Sequence, residues 1–285
     1  MKFAWNDNRG RLSPLKLSVF VALFLPAIWM MSGFALGQLG ARPVTEAIHQ
    51  IGLWTIRLLF IALAITPLRQ IVQWPQLVLV RRMVGVAAFA YVMLHFTLYI
   101  ADEAFDLAKV ASEIVHRIYL TIGFVALCGL AALAATSTDR MVRRLGWRRW
   151  QRLHRLVYAI AVLGVIHYWM QSKLDIWEPT IFAGFYVWLM GYRLLLRFVG
   201  VRGGVPLPWV AGLGVAAAVL TALGEALYFN LAHGVAIGRV LAADFSLQTG
   251  LRPAVVVLAA GLAITAAGAA RTGLGGRRKP GMGFA

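Results

Sequence analysis

Eight apolar runs, most of them close to twenty residues long, recur along the chain with polar or basic stretches between them. At about 1.5 Å of rise per residue, such a run spans the roughly 30 Å hydrocarbon core of a bilayer as a helix. The runs fall at residues 17–36, 49–67, 83–100, 118–135, within 147–173, and at 180–198, 209–229 and 253–270. They predict an all-α integral membrane protein, a polytopic helical bundle of about eight transmembrane helices. The first follows the basic residues Lys2, Arg9, Arg11 and Lys16, as a signal peptide would, but it is longer than a typical signal core and is read as a retained span. Pro26 is expected to kink it. A Gly/Pro break at Gly203, Gly204, Pro206 and Pro208 separates the last two spans from the rest. The expected organisation is an N-terminal segment (1–16), a six-span core (17–200), a linker (201–208), a two-span extension (209–270) and a basic tail (271–285).

Composition agrees with this class: 60% of the 285 residues are hydrophobic and 14% charged. The formal charge of +17 would suit a nucleic-acid binder, yet the arginines sit in short segments between apolar runs, as topology signals do. Nucleic acid is therefore not an expected partner; lipid is. Seven arginines lie between Asp139 and Arg155, whereas Asp102, Glu103, Asp106 and Glu113 form an acid-rich loop. The basic loop is placed in the cytoplasm and the acidic one outside, which puts both ends of the chain inside. The acidic rim is expected to steer a basic patch on a soluble partner. The single cysteine, Cys128, excludes an internal disulfide or a cysteine-ligated cluster, so any metal must be held by histidine.

Histidine inside a membrane helix is costly and marks a bundle interior, a proton relay or a metal. His95 lies 13 residues beyond Arg82, and His167 lies 15 residues beyond Arg152. Both are thus about 20 Å from the cytoplasmic edge, at one depth on two spans. Two imidazoles so placed are what the axial pair of a b-type haem requires, and no C-x-x-C-H is present for covalent attachment. His154 sits at the inner end of the fifth span, and 13 residues carry a regular helix about 220° past whole turns relative to His167. A second, inner haem on His154 would need a ligand other than histidine, because the matching position on the third span is arginine. Contact with a propionate or a quinone is the other reading of His154. Arg81 and Arg82 at the mouth of the third span could hold haem propionates, a flavin phosphate or a quinone carbonyl. His49 is read as an interface histidine or a neighbour of the cofactor, and His116 and His233 as loop residues. No Rossmann fingerprint follows, so the chain is not an NAD(P)H oxidase complete in itself.

Several motifs occur in order: P-V-x4-H at 43–49, I-T-P-L at 65–68, R-R-x-x-G at 81–85 and L-H at 94–95. Y-L-T-I-G at 119–123, T-S-T at 136–138, L-G-x3-W-x2-L-H-x3-Y at 145–158 and I-H-Y-W at 166–169 follow. Together they resemble the ferric-reductase-like transmembrane family, and more closely its bacterial branch of haem-binding subunits serving periplasmic methionine sulfoxide reduction. The resemblance covers about residues 15–200. It implies haem ligands among His95, His154 and His167, with Arg81 and Arg82 as quinone or flavin candidates. It also implies FMN and quinone as further cofactors, and electron delivery to a periplasmic molybdopterin subunit that reduces methionine sulfoxide. The donor would be quinol or a cytoplasmic flavin reductase. On this reading the chain is an electron-transfer subunit with no substrate chemistry beyond oxidising its donor. Two rivals remain open: a haem reductase serving another outer acceptor, and a proton-coupled transporter with a histidine relay.

Overall fold

Every long apolar run becomes a helix. The computed structural model describes residues 5–6, 10–173, 175–201, 204–244, 246 and 250–276, and among these it contains no β-strand. Eight helical segments are long and apolar enough to cross a membrane: 14–35, 43–71, 75–102, 118–135, 147–171, 177–198, 207–233 and 253–272. The chain divides into two compact units, one of residues 1–63 and 78–171, the other of 64–77 and 172–285. Packing therefore groups the sixth span with the two that follow it rather than with the first five. Of the expected tail (271–285), residues 271–276 continue the last helix, and 277–285 lie outside the described residues.

In the first unit, the opening span is two helices, α1 (Pro14–Ala22) and α2 (Leu25–Ala35). Pro26 brings no N–H to the ladder at the start of α2. The Tyr91 hydroxyl enters the same gap, donating to the Leu23 carbonyl at 2.7 Å and accepting from the Ala27 N–H at 3.1 Å. An inserted side chain of this kind is an established cause of a helix break. Tyr91 itself is buried on α4 (Val78–Asp102). α3 (Pro43–Ile71) precedes α4 and contributes its residues up to Leu63 to this unit. Because α4 starts at Val78, Arg81 and Arg82 lie inside its first turns rather than at a loop mouth.

The acid-rich loop folds as a surface helix, α5 (Leu107–His116), started by Asp106, whose side chain accepts from the Lys109 N–H at 2.9 Å. Glu103 pairs with Lys109 at 2.6 Å, and Glu113 pairs with Arg117. Three of the four carboxylates are thus engaged within the loop. α6 (Ile118–Ala135) returns, and the basic loop forms α7 (Asp139–Leu145) and α8 (Trp147–His154) around Gly146. Gly146 turns the chain at φ 76°, a value that favours glycine. A break at Arg155 separates α8 from α9 (Leu156–Gln171).

The second unit holds α10 (Trp177–Phe198), α11 (Leu207–His233), the short α12 (Ile237–Asp244) and α13 (Pro253–Gly276), with residues 64–77. Small residues let its helices approach. A Cβ added at Gly261 of α13 would lie 2.8 Å from the Gly214 Cα of α11, and one at Gly184 of α10 would collide with Thr221. Close backbone approach through small residues is how helices associate where water supplies no hydrophobic drive. At one end of this unit Tyr192 donates to Gln70 at 3.2 Å, and at the other Trp177 Nε1 donates to the Leu251 carbonyl at 2.7 Å.

Candidate functional site

His95 on α4 and His167 on α9 come together as equal depth predicts. Their ring centroids are 6.3 Å apart and their planes cross at 85°. Each ring is held by the same device. His95 Nδ1 donates to the Ile48 carbonyl of α3 at 2.8 Å, and His167 Nδ1 donates to the Tyr119 carbonyl of α6 at 2.8 Å. A carbonyl only accepts, so both rings carry their proton on Nδ1 and present a lone pair on Nε2. Four residues after each accepting carbonyl stands a glycine. A Cβ at Gly52 would lie 3.0 Å from Cε1 and Nδ1 of His95, and one at Gly123 would lie 2.8 Å from the same atoms of His167. Each imidazole therefore lies flush against a helix backbone that only glycine opens. Alongside, Phe96 and Phe124 contact ring to ring at 5.9 Å.

This donor set fits haem iron. Metal–imidazole bonds are about 2 Å long, which sets the centroids of two opposed imidazoles about 6 Å apart. The observed separation matches that distance, and both Nε2 lone pairs are available. A ligating histidine that gives its other N–H to a carbonyl is the usual arrangement, since that bond fixes tautomer and ring orientation. His49, exposed on α3, is close enough for its charge to act on His95.

His154 is not brought to this pair. Its Nε2 is 3.2 Å from Thr136 Oγ1, and its ring stacks on Trp150 at 4.1 Å and 29°. Trp150 Nε1 in turn donates to the Thr136 carbonyl at 2.9 Å. The Thr136 hydroxyl also reaches the Ala132 carbonyl, at 2.8 Å. Arg81 and Arg82, both exposed, are near enough for their charges to act on His154. Arg82 also pairs with Asp139 at 2.7 Å, and that hydrogen bond and charge hold the Asp139 carboxyl below the ordinary carboxylate range. Thus the three remaining sequence candidates form a second, cationic cluster at the other end of α4, about 20 Å from His95 by helical rise. Among the other histidines, His116 Nδ1 bonds to the Ser112 carbonyl at 2.7 Å, and His233 packs on Tyr228 and Phe229.

The glycines and their carbonyl partners are what histidine spacing does not reveal. One signal was present: the Y-L-T-I-G motif runs from the accepting Tyr119 to the cradling Gly123, and I-H-Q-I-G at 48–52 repeats its spacing.

Residues 51–165 match the model of the family described as ferric reductase like transmembrane component. Three of the most similar relatives are described as the protein-methionine-sulfoxide reductase heme-binding subunit MsrQ. That of Rhodospirillum rubrum is 46% identical over 193 residues, 67% of this chain and 90% of the relative. That of Caulobacter vibrioides is 42% identical over 197 residues (66% and 93%), and that of Azospira oryzae 38% over 189 residues (66% and 81%). No solved structure matches the chain.

Proposed function

Because this chain belongs to the family of haem-binding subunits of the protein-methionine-sulfoxide reductase system, within the ferric-reductase-like membrane proteins, we propose that His95 and His167 hold one low-spin b haem and pass electrons through it across the inner membrane. The observation that carries this reading is the imidazole pair at 6.3 Å, each ring locked by a backbone carbonyl. The haem, when bound, supplies reversible one-electron chemistry at iron. The protein contributes two fixed donors, an apolar surround and rings that need not move between oxidation states.

The cationic cluster of Arg81, Arg82 and His154 is the entry side. Its guanidinium groups suit a flavin phosphate, a quinone carbonyl or the propionates of a second haem on His154. The donor is quinol or a cytoplasmic flavin reductase, with FMN as an intermediate carrier. The acceptor is a periplasmic molybdopterin subunit that reduces methionine sulfoxide in oxidised envelope proteins. The arginines of 139–155 support a cytoplasmic position for this end.

Absorption and electron paramagnetic resonance spectra of the purified protein test the assignment. A bis-imidazole low-spin signal is expected, and His95→Ala or His167→Ala each removes or converts it. Full bis-imidazole spectra in both variants would sink it. Neutralising Arg81 and Arg82 together is expected to slow reduction by the donor while that haem stays bound. Unchanged donor-driven reduction would reduce these arginines to topology signals.

A further inference from the structure

Glu225 is a carboxylate within an apolar span, eight residues and about 12 Å from the His233 end of α11. Two residues from the chain between α11 and α13 meet it. Asp244, at the end of α12, and Arg252, just before α13, both reach the same point. Arg252 Nη2 donates to Glu225 Oε1 at 2.5 Å, and Arg252 Nε donates to Asp244 Oδ1 at 3.0 Å. The Glu225 and Asp244 side chains are 3% and 1% exposed, and Arg252 is 23% exposed.

One guanidinium thus serves two carboxylates shut away from water, which leaves the cluster one negative charge in excess. Glu225 Oε2 and Asp244 Oδ2 are both buried without a hydrogen-bond partner among the described residues. An uncompensated charge in a desolvated site is unfavourable, and two carboxylates sharing such a site do not both stay ionised. The charges that act on Glu225 are those of Arg252 and Asp244. The other titratable or charged side chains on the elements packed around it are Glu178, Tyr186, Tyr192, Arg193 and Arg197 of α10, Tyr228 and His233 of α11, Arg239 of α12 and Arg271 of α13. No group of three or more His, Cys, Asp or Glu among the described residues could hold a metal ion.

We propose that Glu225, Asp244 and Arg252 form a binding site for a single proton inside the last two spans, carried on one of the two unpartnered carboxylate oxygens. Bound there, the proton brings the cluster to neutrality, so that Glu225 and Asp244 share Arg252 without repulsion. Loss of the proton sets the two carboxylates against each other on either side of Arg252. The site is independent of the imidazole pair, and its motif-free span lies beyond residue 200, where the resemblance ends.

Infrared spectroscopy of the full-length protein in lipid nanodiscs tests this. At neutral pH a carboxylic-acid C=O stretch that shifts in D₂O is expected, and it titrates away as the pH rises. Glu225→Gln and Asp244→Asn should each abolish it, with a thermal midpoint within a few degrees of the unmodified chain, because one carboxylate then balances Arg252. The double variant, which leaves Arg252 without a counter-charge, should melt clearly lower. Three results overturn the proposal: no such band in the unmodified chain, a band unchanged in both single variants, or a thermal midpoint raised by sodium chloride but not by choline chloride, which would assign the site to a sodium ion.

Discussion

Replacing Gly123 by alanine places a methyl group 2.8 Å from Cε1 and Nδ1 of His167 and 3.3 Å from its Cγ. Ordinary contact between such atoms begins at about 3.5 Å, so the ring must retreat by roughly 0.7 Å. The accepting Tyr119 carbonyl is on the same helix as the new methyl. The retreat therefore lengthens the 2.8 Å hydrogen bond to about 3.5 Å, where it no longer holds. Losing the bond costs about 1 kcal/mol and overpacking about 1–3 kcal/mol, while alanine returns about 1 kcal/mol of helix propensity. Net destabilisation of about 1–3 kcal/mol is modest for a bundle of this size. The effect on the site is larger, because partners that orient a ligating histidine are worth about 10–100-fold in metal affinity. The expected outcome is a chain that purifies folded but loses haem on dilution, measured as the haem-to-protein ratio by the pyridine haemochrome assay. Gly129→Ala is the control. Its methyl would also lie 2.8 Å from a side chain of α9, but that of Ile160, which has no polar atom to be displaced from a hydrogen bond. Gly52→Ala, at 3.0 Å from His95, should fall between the two. If Gly123→Ala and Gly129→Ala retain haem equally, the cradle is ordinary helix packing and the reasoning fails.

Tyr91→Phe deletes the hydroxyl that bridges the break at Leu23–Ala27 and strands a carbonyl and an N–H in apolar surroundings, at a cost of about 1–3 kcal/mol; an unchanged denaturation midpoint would show that the two helices close the gap themselves. Asp106→Ala removes the cap of α5 and should weaken that helix by about 1 kcal/mol, seen as faster amide exchange over residues 107–116 with haem content unaltered. Asp139→Asn bears on pH. The Asp139 carboxyl is held below its ordinary 3.8 by Arg82, so any stabilisation is complete at neutral pH and is lost only as pH falls through that lowered value. Both members of the pair are exposed, so the variant should melt almost with the unmodified chain at neutral pH, and the two curves should converge on acidification.

The spans and the imidazole pair were legible because each rests on one-dimensional arithmetic. Apolar length against bilayer thickness places helices, and helical rise counted from Arg82 and Arg152 places His95 and His167 at one depth. What escaped depends on contacts between distant residues. Nothing in an apolar run announces that the Tyr91 hydroxyl will enter a gap 64 residues earlier, or that Gly52 and Gly123 rather than neighbouring small residues receive the rings. The stacking of Trp150 on His154 was hidden by a simpler explanation, since aromatic residues near a basic loop suit the membrane interface anyway. The charges of the 102–113 loop read as a solvated rim because partners such as Lys109 and Arg117 count as surface until α5 forms. Glu225 carries no periodic signal at all; its partners lie 19 and 27 residues further on and meet it only once the chain is folded.

The way each imidazole is fixed also orders the biogenesis of the protein. His95 is oriented by α3 and His167 by α6, so the carbonyl that orients each ring is synthesised before the histidine itself. The half formed by α3 and α4 is complete well before α9 is synthesised. Joining the halves is then a docking of two prepared surfaces, and on the function proposed above a cofactor bonded to both rings would be the rivet that closes it. Cells starved of that cofactor would accumulate chains whose helices are all inserted but whose halves stay loosely associated.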